Sequence, residues 1–207
     1  MDVPTAGLPS FAGAVLAGGA SRRMGTDKAA ILVDGVAMAR RVADALVGAG
    51  ARDVIAVGGD ASLLTGLGLD AVPDRWPGEG PLGGIVTALE AVEDLAGGGS
   101  STPAGSGIVV VAACDLPALT PEVVVDLVTA LASAPVEVGA AVPVVDGVAQ
   151  PHLLALRATA APVLREAFSA GARAPRRALR AAGVVEVDLG DDAALRDVDR
   201  PEDLPAG

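Results

Sequence analysis

The stretch Ala14-Val15-Leu16-Ala17-Gly18-Gly19-Ala20-Ser21-Arg22-Arg23-Met24-Gly25-Thr26-Asp27-Lys28 sets a short apolar strand against a glycine loop that ends in cations. Glycines remove side chains, so backbone N–H groups can approach an anionic ligand closely, while Arg22, Arg23 and Lys28 supply the charge that amides lack. The spacing is neither of the two common phosphate loops: no G-x-x-x-x-G-K-[ST] and no helix-opening G-x-G-x-x-G occurs here. A structural glycine turn is the alternative reading. Arg22 reads equally as a ligand contact and as a solvated neighbour, and Asp27 reads as a cap or orienter of the loop.

Outward from this strand, apolar runs alternate with alanine-rich helical ones. Strands are expected at Ala14–Leu16, Val54–Val57, Ala71–Val72, Ile108–Ala113, Val138–Pro143, His152–Leu156 and Val184–Val187. Helices are expected at Met38–Val47, Leu82–Val92, Val123–Leu131, Thr159–Ser169 and Pro175–Ala181. Gly48 and Gly50 close the first helix, Gly80-Pro81-Leu82 opens the second, and Thr120-Pro121-Glu122 opens the third with a cap and a proline at the first helical position. This rhythm predicts an α/β fold, a Rossmann-like three-layer αβα arrangement with a mostly parallel central sheet. The Gly/Ser-rich stretch 96–107 reads as a flexible insertion inside one domain spanning 1–207, because the same rhythm resumes after it.

A chain of 207 residues suits one large domain and buries roughly 70% of its unfolded surface. Its core must be aliphatic, since Phe11, Trp76 and Phe168 are the only aromatics. A net charge of −11 argues against nucleic-acid binding, which needs Lys and Arg on phosphates. The single Cys excludes an internal disulfide and fits a reducing compartment. No apolar run is long enough to span a bilayer, and no basic n-region precedes the first apolar stretch, so the expectation is a cytoplasmic protein away from membranes.

In open α/β sheets, ligands bind beyond the carboxyl ends of the strands. The glycine loop, Asp60, Asp74 and Asp115 each follow a strand, which gathers cations and carboxylates at one edge. Asp115, in Ala113-Cys114-Asp115-Leu116-Pro117, is a natural Mg²⁺ ligand beside a phosphate loop, because Mg²⁺ takes one or two carboxylates plus substrate oxygens; the alternative is a cap on the turn before Pro117. Asp74 can accept from ribose hydroxyls or base N–H groups, or else serve a strand-end turn. Asp60 is a weaker candidate for a contact to base N–H donors. Gly83 and Gly84 admit a close backbone or ligand, and Trp76 either covers a ligand or packs. Cys114 reads as a small buried residue beneath Asp115. His152, the only histidine, reads as structural, and Arg173, Arg176, Arg177 and Arg180 read either as a solvated basic face or as a phosphate receptor.

The loop resembles the L-A-G-G-x-x-x-R-M-G-x-D-K signature of nucleotidyltransferases, in particular the molybdenum cofactor guanylyltransferases. Ala113-Cys114-Asp115-Leu116-Pro117 resembles the family's A-C-D-x-P, and Asp74 with Gly80-Pro81-Leu82-Gly83-Gly84 resembles its D…G-P-L-x-G. The resemblance implies a nucleotide-diphospho-sugar transferase-like fold and transfer of GMP from Mg-GTP to molybdopterin by a monomer or weak homo-oligomer. It assigns Arg23, Lys28 and Asp115 to catalysis, Asp115 to the metal, and Leu16, Ala17, Gly18, Gly19, Lys28, Asp74 and Asp115 to the nucleotide. Other readings are a molybdopterin cytidylyltransferase, another small-phosphate nucleotidyltransferase, or a nucleotide-binding module without catalysis. The chain departs from the family at Asp197-Val198-Asp199-Arg200-Pro201-Glu202-Asp203-Leu204, where the pattern is N-x-N-T-P-E-D-L. An ionised Asp only accepts, so a phosphate facing this segment would meet repulsion.

Overall fold

Valine- and alanine-rich strands buried on both faces need a layer of helices on each side. The computed structural model describes residues 8–18, 27–97, 107–189, 193–198 and 203 and shows that arrangement. The central strand β1 (Phe11–Leu16) pairs in parallel with β4 (Val54–Val57) on one side and β6 (Ile108–Ala113) on the other. β5 (Asp70–Val72) extends the sheet beyond β4. Beyond β6 lie β9 (Leu153–Arg157), antiparallel to its neighbours, then β7 (Ala140–Val145) and β10 (Val184–Asp188). The order is β10-β7-β9-β6-β1-β4-β5, with the short β8 (Val148–Ala149) on β7.

Side chains alternate between the two faces, as strand geometry requires. Val15, Val110 and Ala112 pack with α1 (Met38–Gly48) and α4 (Pro121–Ser133), while Ala14, Val109 and Val111 pack with α3 (Pro81–Gly97), α5 (Ala161–Ser169) and α6 (Pro175–Ala182). α1 ends in a Schellman motif, with Ala51 N–H donating to Leu46 O and Gly50 N–H to Val47 O. α3 runs through Gly97, so its last turn occupies the start of the stretch read as the insertion; residues 98–106 lie outside those described.

Three small elements were not expected. α2 (Ala61–Gly66) follows Asp60. β2 (Leu32–Val33) and β3 (Val36–Ala37) form a hairpin across Asp34-Gly35, and β7 and β8 form another across Asp146-Gly147. Both two-residue turns have positive φ at both positions (50° and 79°; 50° and 75°), the turn that Asp-Gly favours. No helix among the described residues is long and apolar enough to cross a membrane.

Register places the site. Leu16 pairs with both Val57 and Ala113, and Val57 pairs with Val72, so these strands end level. Residues 17–18, 58–60, 73–74 and 114–115 therefore emerge side by side at one rim.

Candidate active site

Asp115 stands two residues beyond the end of β6, and the adjacent turn is locked to β1 by the bond from Cys114 N–H to Leu16 O (3.0 Å). Lys28 reaches it from a 3-10 helix, Lys28–Ala30, whose N-cap Asp27 accepts from Ala29 N–H at 3.0 Å. Asp27 thus orients the returning loop, as its sequence position suggested. Ala29 is fully buried and anchors that turn, leaving Lys28 Nζ 3.2 Å from Asp115 Oδ2. Both side chains are largely covered, at 16% and 20% exposure. The other oxygen, Asp115 Oδ1, is buried with no hydrogen-bond partner. The segment 19–26, carrying Gly19, Arg22 and Arg23, lies outside the described residues. Cys114 is buried, and burial, reinforced by the Asp115 charge, pushes its thiol up to about 12. It packs as a buried, neutral thiol.

The glycines behave differently from expectation. Ala17 and Gly18 both donate their N–H groups to Val57 O, at 2.9 and 3.2 Å. Those two N–H groups are therefore already paired with the neighbouring strand. The tight point is Gly58, with φ of 76° and a position where a Cβ would lie 2.9 Å from Gly18 Cα. Only glycine fits there. Asp60 accepts from Leu63 N–H at 2.9 Å and caps α2, a structural use of that carboxylate oxygen.

Asp74 serves the strand-end turn through one oxygen and leaves the other beside Gly18. Its Oδ1 accepts from Trp76 N–H (3.0 Å) and lies 3.1 Å from Thr87 Oγ1, while Oδ2 lies 3.9 Å from where a methyl on Gly18 would sit. Trp76 packs on Phe168, ring centroids 5.0 Å apart, with the Arg173 guanidinium 4.5 Å above the Phe168 ring. It is a packing residue. Gly83 and Gly84 face side chains, Phe168 with Trp76 and Leu16 respectively, and not a backbone or open cleft.

Two contacts at the rim were invisible in the sequence. Val198 N–H donates to Asp115 O at 2.9 Å, and its side chain packs with Ile31, Val33 and Met38. This brings Asp197 next to the Asp115 turn; Asp199 lies outside the described residues. Arg41 ties the hairpin to the same turn through Pro117 O (2.8 Å) and Val33 O (3.2 Å).

The donor set fits a divalent ion. Among the described residues no cluster of three or more metal-ligating side chains exists, so substrate oxygens and water must complete any shell, which suits Mg²⁺. The buried, unpartnered Asp115 Oδ1 is the protein oxygen that such an ion would meet.

The chain matches the MobA-like NTP transferase domain over residues 13–187. It belongs to that family. A molybdenum cofactor guanylyltransferase from Burkholderia vietnamiensis is 31% identical over 213 aligned positions, covering 99% of this chain and 98% of that protein. A probable molybdenum cofactor guanylyltransferase from Opitutus terrae is 37% identical over 115 residues, 56% of this chain; there the chain spans about half, 52%, of the relative's length. The crystal structure of molybdopterin-guanine dinucleotide biosynthesis protein A from Archaeoglobus fulgidus superposes with a TM-score of 0.71 at 24% identity, over 94% of this chain and 95% of that one. The shared fold is the nucleotide-diphospho-sugar transferase type that the sequence implied.

In this MobA-like chain the arginines near α6 divide. Arg173 precedes the helix and pairs with Glu79 at 2.7 Å, whereas Arg176 and Arg180 flank an open cavity of about 240 Å³ between α6 and β8. His152 uses its backbone carbonyl to accept from Ala113 N–H, a structural role at the start of β9.

Proposed function

We propose that this protein transfers GMP from Mg-GTP to the terminal phosphate of molybdopterin, releasing pyrophosphate. The observation that carries the reading is the Lys28–Asp115 pair at the rim, with Asp115 Oδ1 buried and unsatisfied. Membership of the MobA-like family and relatives named guanylyltransferases support the choice of base and acceptor.

An acceptor phosphate oxygen bonds to the α-phosphorus as the bond to the bridging β-phosphate oxygen breaks, and no protein nucleophile is required. A bound Mg²⁺ supplies charge neutralisation at the phosphate oxygens. Asp115, with its buried and unpartnered Oδ1, would hold that ion. Lys28 holds the carboxylate in place and offers its ammonium to the triphosphate, with Arg23 as the second cation. Holding two anions in line and screening their repulsion is the whole catalytic task. Asp74 Oδ2 accepts from a nucleoside donor. The protein works in the cytoplasm as a monomer or weak homo-oligomer.

A second reading, transfer to a different phosphate acceptor, draws on Asp197. Asp197 precedes Val198, whose N–H bonds Asp115 O, and the family pattern has a neutral amide at that position. The test supplies molybdopterin with equal Mg-GTP, Mg-CTP and Mg-UTP and follows nucleotide loss with pyrophosphate release. Consumption of GTP alone supports the proposal. Consumption of CTP, or pyrophosphate release that does not depend on molybdopterin, rejects it.

A further inference from the structure

Thr87 and Glu90 are the two buried polar side chains among the described residues, in a helix otherwise apolar on its inner face. They sit one turn apart on α3, and both grip the same dipeptide. Thr87 Oγ1 accepts from Arg75 N–H at 3.2 Å, and its single proton lies within reach of Asp74 Oδ1 (3.1 Å) and Gly83 O (3.0 Å). Glu90 takes the Arg75 guanidinium on Oε2 and that of Arg165, from α5, on Oε1. Burying a hydroxyl and a carboxylate is unfavourable unless their partners are fixed. Here those partners are the residues that carry Asp74. With Oδ1 held by Trp76 N–H and Thr87, the carboxylate has one orientation left, Oδ2 towards the Gly18–Gly58 seam.

We infer that Thr87 is a positioning residue for nucleotide recognition: backed by Glu90, it fixes the Asp74 carboxylate so that Oδ2 accepts from a nucleoside donor, a ribose hydroxyl or a base N–H. The inference rests on the nucleotide half of the proposed function and needs no acceptor. GTP binding by calorimetry on the full chain tests it. Thr87→Val removes the hydroxyl at nearly constant shape and raises the GTP Kd about ten-fold, the scale of one charge-assisted hydrogen bond. Thr87→Ser restores the wild-type Kd. In an Asp74→Ala background, Thr87→Val changes Kd less than about two-fold, because the coupling runs through Asp74. Among 2′-deoxy-GTP, 3′-deoxy-GTP and inosine triphosphate, the analogue lacking the donor that Asp74 binds shows no Thr87→Val penalty. A Thr87→Val protein that melts like wild type and binds GTP as well overturns the inference. So does an equal loss with and without Asp74, which marks a purely structural role. Wild-type protein that binds no GTP overturns the nucleotide reading as well, so the two failures are distinct.

Discussion

Replacing Asp115 by Asn removes one charge and almost no volume, which isolates the electrostatic role of the rim. At the observed 3.2 Å, the gross attraction between Lys28 and Asp115 is about 5 kcal/mol at an effective dielectric near 20. Desolvating both groups offsets most of that, so the variant stays folded, with a stability change within ~2 kcal/mol. The catalytic effect is larger. Asp115 Oδ1 is the buried protein oxygen available to a divalent ion, and losing a preorganised charge of this kind costs about 100- to 1000-fold in kcat. GTP binding falls much less, because Lys28, Asp74 and the rim backbone remain. The assay is continuous pyrophosphate release at saturating GTP and molybdopterin with Mg²⁺ titrated, alongside calorimetric GTP affinity. A kcat within about three-fold of wild type at saturating Mg²⁺ removes Asp115 from the chemistry and refutes the reasoning.

Gly58→Ala places a methyl 2.9 Å from Gly18 Cα at a φ of 76°, and we expect it to cost about 3 kcal/mol or more in urea unfolding and to abolish GTP binding. Gly35→Ala, at a φ of 79° with nothing within 4 Å, costs only about 1 kcal/mol and leaves binding intact; equal effects at both sites would deny the seam its packing role. Arg157 donates to Leu131 O in the last turn of α4 and to Ala134 O and Val138 O just beyond it. Arg157→Leu should destabilise the fold by roughly 2–4 kcal/mol without moving the GTP Kd. Cys114 should resist thiol reagents at pH 8 in the native state and react promptly in denaturant. Its folded value of about 12 lies above the ordinary 9.0, so its contribution to stability is complete below pH 9 and is lost as pH climbs from there towards 12. Prompt native labelling would show that the Asp115 turn opens.

The mostly parallel sheet and its two helical layers were legible because the buried strands are short apolar runs, such as Ile108–Ala113. Several helices also carry punctuation, Pro at the start of α3, α4 and α6 and Gly at the end of α1. The two hairpins turn on Asp34-Gly35 and Asp146-Gly147, but β2, β3 and β8 are only two residues long, too short for periodicity to register. The rim was legible as a set of strand-end residues, since parallel register brings such ends together. What those residues do with their hydrogen bonds was not. Whether the Gly18 N–H is free depends on where Val57 O lies, and Asp60 becomes a cap only once α2 exists. Thr87 and Glu90 read as ordinary members of an alanine-rich helix until Asp74 and Arg75, twelve or more residues earlier in the chain, are folded against them. The approach of Val198 to Asp115 spans more than eighty residues and has no local signature.

The sharpest single measurement is mass detection of the product after wild-type protein meets molybdopterin and Mg-GTP. Appearance of a molybdopterin guanine dinucleotide, with one pyrophosphate released per adduct and neither formed by Asp115→Asn, is the expected result. Intact GTP and unmodified molybdopterin from a folded, GTP-binding protein would contradict it.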